Sequence, residues 1–220
     1  MAPLLKICGL RELGQAEAIA RLGVDAIGVI AVEPSPRWVP RQDRPALFRS
    51  INAVAPACRR VLVLANPADS DLPDLNLGAG SPTTLQLHGD ESPERCHQIR
   101  KRRPQLELWK ALRIRRPEDL TRADAYGPVV DALLLDAWVP DQLGGTGHRI
   151  PLEWLVGFKP SLPWWLAGGI RADRVAGVLS VIQPSGLDAS SGVELAPALK
   201  DLTAVEALVA AVRTWPEAPH

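Results

Sequence analysis

Eight short apolar runs, separated by stretches of helical periodicity or turn composition along 220 residues, predict an α/β fold. The expected form is a single-domain (β/α)8 TIM barrel spanning residues 1–220. Three observations favour it over an open doubly wound sheet. Eight runs are present, no GxGxxG follows the first, and nearly every run ends on a polar residue or glycine. In a barrel those ends share one rim, and that rim carries the active site.

The runs appear in this order. LLKIC (4–8) ends on a cysteine before Gly9, and apolar spacings of three and four predict a helix over 13–22. AIGVIAV (26–32) and RRVLVLA (59–65) follow; the stretch 66–84 is rich in Asp, Gly and Pro and predicts an irregular crossover. TLQLH (84–88) leads to a helix over 93–102, closed by the basic run RKRR (100–103) before Pro104, which suits a helix C-terminus. LELWKAL (106–112) precedes a helix expected after Pro117, and DALLLD (131–136) is the sixth run. WWLAG (164–168) is followed by a helix after Asp173; SGLDA (185–189) leads to a last helix over 202–212. Trp109, Trp164 and Trp165 lie in runs and are expected to pack the core or the barrel–helix layer.

Bulk properties narrow the function. Lys plus Arg and Asp plus Glu number 25 each, a balance that argues against nucleic-acid or membrane-surface partners. Cys8, Cys58 and Cys96 form no CxxC pair and no metal spacing with the four histidines, which fits a reducing compartment. The N-terminus has no secretory pattern and no stretch of about 20 apolar residues occurs, so a cytoplasmic protein is expected.

The strand ends place Cys8, Asn66, His88, Asp136, Gly168 with Gly169, and Asp188 on the rim. A cysteine there is either a small core hydrophobe or a reactive group. His88 either lines the site or hydrogen-bonds backbone, and Asp188 either orients loops or pairs with Lys6. LAGGI (166–170) and DASSGVE (188–194) follow the last two strands, where barrels hold phosphate. Gly168 and Gly169 let backbone approach a ligand, and Ser190, Ser191 and Gly192 precede a short helix whose N–H groups favour an anion. QLGGTGHR (142–149) adds Gly144, Gly145 and Gly147 after the sixth run. A phosphate-bearing small molecule is the expected ligand.

With KICGL (6–10), GVDAIGV (23–29), SPR (35–37), QLHGDE (86–91), LLLDA (133–137), GGTG (144–147), LAGGI and DASSGVE in order, the chain resembles the phosphoribosylanthranilate isomerases of tryptophan biosynthesis. The resemblance implies an Amadori rearrangement of a phosphosugar–anthranilate substrate without cofactor or metal, by a monomer or homodimer. It makes Cys8 the general base and Asp136 the general acid. Arg37, a surface arginine in a proline-rich turn when read by itself, would hold the anthranilate carboxylate. His88, Gly145, Gly168, Gly169, Ser190, Ser191 and Gly192 complete the implied binding set.

Several positions depart from the family pattern. Val29, Ala31 and Pro34 replace two aromatics and a lysine, Leu62 replaces a glycine, and His148 stands where a lysine often follows GGTG. Trp138, beside the acid, would either desolvate it or cover the ligand. A histidine-pathway isomerase uses two aspartates, which Cys8 disfavours, and a non-catalytic phosphate-binding barrel would not need the acid–base pair. The chemistry is demanding: at ordinary pKa values about 3% of Cys8 is thiolate and about 0.1% of Asp136 is protonated at pH 7. Independent sites would place the productive pair roughly 6 kcal/mol uphill.

Overall fold

The computed structural model describes residues 2–74, 76, 78–137 and 148–216. Eight parallel strands close into a barrel in sequence order: β1 (Leu4–Cys8), β2 (Ala26–Ile30), β3 (Arg59–Leu64), β4 (Thr84–Leu87), β5 (Glu107–Ile114), β6 (Ala132–Ala137), β7 (Trp164–Ala167) and β8 (Gly186–Ala189). Pairing of β1 with β8 closes the ring and sets Lys6 opposite Asp188. Each strand falls within or beside its expected run, because β-branched and leucine-rich stretches bounded by turn residues are buried on both faces here.

The α-helices among the described residues are α1 (Leu13–Arg21), α2 (Arg44–Val54), α3 (Pro93–Arg102), α4 (Ala123–Tyr126), α5 (Ala172–Leu179) and α6 (Leu202–Arg213). The sequence reading lacked α2, although Pro45 stands in its first turn and Leu47, Phe48 and Ile51 are buried at helical spacing. Between β3 and β4 the described chain makes two 3-10 turns, as the Asp, Gly and Pro content implied. The helix expected after Pro117 begins as a 3-10 segment, Pro117–Arg122, before the single turn of α4. A two-stranded hairpin, β9 (Glu194–Ala196) with β10 (Leu199–Lys200), follows the barrel and was not foreseen.

Strand alternation sorts side chains into two layers. Leu5, Ile7, Ile27, Leu62, Leu85, Leu133, Leu135, Leu166 and Leu187 face outward and meet Ile19, Leu47, Ile99, Val175 and Leu208 of the helices. Ala26, Val61, Trp109, Ala132, Leu134 and Trp165 fill the interior. The Trp109 and Trp165 rings lie 4.8 Å apart between centroids. An added Cβ on Gly186 would come within 2.3 Å of the Trp165 ring, so glycine makes room for it. Trp164 points outward and meets Phe158 edge-on at 5.4 Å. The RKRR run is engaged within the chain: Arg100 reaches Asp131 and the Leu106 carbonyl, Arg102 pairs with Asp69 at 2.6 Å, and Arg103 donates to the Pro73 carbonyl.

Candidate active site

Polar side chains gather among the interior residues that reach the C-terminal rim, beside Val63 and Ala167. Cys8 ends β1, Asp136 lies near the end of β6, and Gln86 and His88 share the inward face at β4. All open on one pocket, whose upper wall comes from Ser35 and Arg37 after β2, Gly168 and Gly169 after β7, and Ser190 and Ser191 after β8. The thiol and carboxyl proposed from sequence therefore face one cavity, with no packed core between them.

On the β1 side, Lys6 is fully buried and its Nζ donates to both Asp188 carboxylate oxygens at 3.0 Å. Of the two readings left open for Asp188, pairing with Lys6 is the one observed. Gly28 keeps this corner open: a Cβ there would stand 2.6 Å from Cys8 Sγ and 3.2 Å from Lys6 Cε. Burial alone would lower the Lys6 pKa, but the Asp188 carboxylate and Cys8 together raise it, so Lys6 is an ammonium beside the thiol. Burial pushes the Cys8 thiol up, Lys6 pulls it back, the Asp188 carboxylate raises it again, and Lys200 lowers it by less. The resting group is a thiol, and the two lysines reduce the penalty of ionising it.

On the β6 side, Gln86 Nε2 lies 2.9 Å from His88 Nδ1 and, as a donor, leaves the ring proton on Nε2. That nitrogen faces Asp136 Oδ2 at 3.4 Å. The other carboxylate oxygen accepts from the Ala137 N–H at 2.9 Å. His88 thus lines the site. Gln86 was not anticipated, although a polar residue at an inward strand position was signal enough.

The loops after β7 and β8 bring Gly168, Gly169, Ser190 and Ser191 to the pocket. Gly168 and Gly169 have φ of +98° and +60°, and a Cβ on Gly168 would lie 2.4 Å from the His148 carbonyl oxygen. Arg174 draws the carbonyls of Gly168 and Gly169 outward, at 3.3 and 2.7 Å. After β8 the short helix is a 3-10 turn, Ser191–Val193, so only Ser190 precedes it while Ser191 and Gly192 lie within it, with Gly192 tight against the Ile170 carbonyl. Ser190 Oγ, Gln86 Oε1 and His88 Nε2 are buried without a hydrogen-bond partner among the described residues. Gly144, Gly145, Gly147 and Trp138 lie outside the described residues.

Arg37 is not the surface arginine its local sequence suggested. It is 6% exposed, and its Nε and Nη2 grip Glu194 at 2.8 and 2.6 Å. Neither Glu194 nor its second partner, Lys200, was singled out as a site residue. Among the described residues, no three His, Cys, Asp or Glu side chains gather as a metal-ligand set.

A closed barrel whose rim joins an acid, a thiol and glycine–serine loops on one pocket is the architecture of a (β/α)8-barrel enzyme. The family model for N-(5'-phosphoribosyl)anthranilate isomerase matches residues 5–211. An N-(5'-phosphoribosyl)anthranilate isomerase from Synechocystis sp. is 48% identical over 210 residues, covering 94% of each chain. Its namesake from Synechococcus elongatus is 47% identical over 204 residues, covering 93% of each. Phosphoribosyl anthranilate isomerase from Thermotoga maritima superposes with a TM-score of 0.83 at 25% identity, over 97% of this chain and all of that one. The Thermus thermophilus isomerase gives 0.78 at 30% identity, over 96% and 98%. The chain belongs to the N-(5'-phosphoribosyl)anthranilate isomerase family.

Proposed function

We infer that Cys8 and Asp136 are the base and acid of an isomerase whose sugar substrate lies between them. The reaction is the tryptophan-biosynthetic conversion of N-(5-phospho-β-D-ribosyl)anthranilate into 1-(2-carboxyphenylamino)-1-deoxy-D-ribulose 5-phosphate. Asp136 protonates the furanose oxygen as the C1–O bond breaks and the anthranilate nitrogen forms an iminium. The Cys8 thiolate then takes the C2 proton, giving an enolamine that tautomerises to the aminoketone. Acid and base need to stand within hydrogen-bond reach of one sugar. The observation that carries this reading is their opening on one pocket.

The phosphate rests on the backbone of Gly168, Gly169, Ser190, Ser191 and Gly192, joined by Gly145. Gly168 and Gly169 have positive φ, and Gly168 and Gly192 approach neighbouring chain closely, which supports backbone contact with an anion. His88 supports Asp136 and meets the substrate through Nε2–H. Arg37 holds the anthranilate carboxylate with the N–H groups that Glu194 leaves unused.

No described helix is long and apolar enough to cross a membrane. A cytoplasmic location is consistent with three free, buried cysteines, Cys8, Cys58 and Cys96. The enzyme acts as one barrel domain, as a monomer or homodimer; a Thermotoga maritima relative is described as dimeric. Loss of phosphoribosylanthranilate fluorescence on adding purified protein tests the reaction, and no turnover by the wild type rejects it. Cys8→Ser and Asp136→Asn each lower kcat by at least about a hundredfold; full activity in both rejects the roles.

A further inference from the structure

The buried charges above the pocket form a chain whose central member, Glu194, has no role in the acid–base reading. Arg37 lies across Gly9: with Gly9 at φ +88°, a Cβ there would stand 2.4 Å from Arg37 Cδ. Its guanidinium meets Glu194 through Nε and Nη2. Glu194 Oε1 also accepts from Lys200 Nζ at 2.6 Å and from the Ala198 N–H at 3.3 Å. Lys200 Nζ in turn donates to the Ser190 carbonyl at 3.2 Å. The Lys200 side chain is fully buried and that of Glu194 is 4% exposed, so none of these links is a loose surface contact.

Guanidinium geometry defines what remains. Arginine has five N–H donors, and the Nε–Nη2 edge is taken. Both Nη1 hydrogens and one on Nη2 are left, enough to clasp a second carboxylate end-on. A free arginine would sweep many rotamers, whereas this one presents a single remaining edge beside the pocket that it lines.

We propose that Glu194 is a positioning residue that aims Arg37 at the substrate carboxylate and, through Lys200, fixes that aim relative to the Ser190 phosphate loop. The strut sets the distance between the two anionic ends of the substrate and so selects for an aminoaldose carrying both. It rests on the assignment of those two ends made above. Burial opposes ionisation of Glu194, but hydrogen bonds from Arg37 and Lys200 outweigh it and hold the carboxyl below its usual range, consistent with a charged strut.

Titration calorimetry of the full chain with anthranilate and inorganic phosphate as separate probes tests the strut. Glu194→Gln offers one acceptor and two donors to partners that are all donors, and weakens both probes about tenfold, the scale of one lost charge-assisted hydrogen bond. Arg37→Met weakens anthranilate alone; Lys200→Met weakens phosphate more than anthranilate. In turnover, Glu194→Gln raises KM more than it lowers kcat. Unchanged affinities in Glu194→Gln, a loss confined to one probe, or tighter binding of either overturns the proposal. Tighter binding is the outcome if Glu194 only neutralises two cations. If Glu194→Gln does not fold, Lys200→Met decides: unchanged phosphate affinity overturns the strut. Calorimetry needs no turnover, so a wild type that binds both anions but does not consume phosphoribosylanthranilate rejects the reaction and leaves the strut standing. A wild type that binds neither rejects both.

Discussion

Lys6 and Lys110 are both long cations buried to 2% exposure or less, each paired to a carboxylate, and they do different work. Lys6 points into the barrel and meets Asp188 beside the Cys8 thiol. Lys110, on β5, points outward and binds Glu91 at 2.8 Å, with the Gly89 carbonyl at 2.8 Å and that of Leu87 at 3.3 Å. Glu91 also accepts from the Asn66 and Gly89 N–H groups, and the Tyr126 hydroxyl donates to the Glu91 carbonyl. The outer pair is a staple for the loop after β4, while the inner pair holds the Lys6 ammonium beside the thiol, where it favours the thiolate that Asp188 opposes. Strand alternation sets which way each lysine points, and an odd shift in register would turn each away from its carboxylate.

The largest expected effect separates the pairs by catalysis. Lys6→Met removes the cation facing Cys8 and lowers kcat/KM about a hundredfold, within the usual range for a compromised general base. Because the productive form pairs a thiolate with a protonated acid, the group with the higher pKa sets the alkaline limb of kcat/KM; burial holds the Cys8 thiol above its ordinary value of 9.0, so that limb belongs to Cys8. The variant's alkaline limb moves to still higher pH. A pH–rate profile of both proteins checks this; coincident limbs would mean that Lys6 does not act on the thiol.

Lys110→Met is expected to act on stability instead. It leaves Glu91 buried without its cation and costs about 3–5 kcal/mol, read from urea unfolding, while kcat/KM falls far less than in Lys6→Met. Gly28→Ala comes next. Its methyl would collide with Cys8 Sγ, costing about 1–3 kcal/mol of packing strain, with loss of kcat/KM as the thiol is displaced. A variant with normal activity would show that the sulfur's position is not critical.

What was legible follows from range in sequence. Runs such as RRVLVL and ALLLD announce strands through local composition, and residues 8, 136, 168–169 and 190–191, which strand ends and glycine clusters single out locally, all line the one pocket. Partners were harder. Lys6 and Asp188 stand 182 positions apart and meet only because β1 closes on β8. Arg37 looked like a turn residue because Glu194, 157 positions away, is invisible beside it. The hairpin carrying Glu194 and Lys200 has strands of three and two residues, too short for any periodicity to show. Gln86 was legible and overlooked: alternation through Thr84, Gln86 and His88 already put it on the inward face.

A third buried pair, Lys200–Glu194 at the rim, extends the contrast to acid pH. Glu194 is held below its ordinary value of 4.5, so its contribution to stability is full above that value and disappears as pH falls through the lowered one. Glu194→Gln removes that titration, and the ratio of variant to wild-type stability shifts in the variant's favour on acidification. Parallel curves of stability against pH would contradict the charged strut.

The smallest effect comes from the same strand as Lys110. Glu107 opens β5 and pairs with Arg59 at 2.9 Å, but these side chains are 41% and 35% exposed, against 1% and 2% for Glu91 and Lys110. Water solvates both charges in the folded and unfolded chain, so the pair contributes under about 1 kcal/mol. Glu107→Gln keeps an acceptor for Arg59 and for the Thr84 hydroxyl, which donates at 3.2 Å. It lies at the strand N-terminus, away from the catalytic rim. Unfolding and turnover should therefore both match the wild type. A cost comparable to Lys110→Met would mean that burial is not what distinguishes the two ion pairs, and the assignment of the Lys110 pair as a staple would lose its basis.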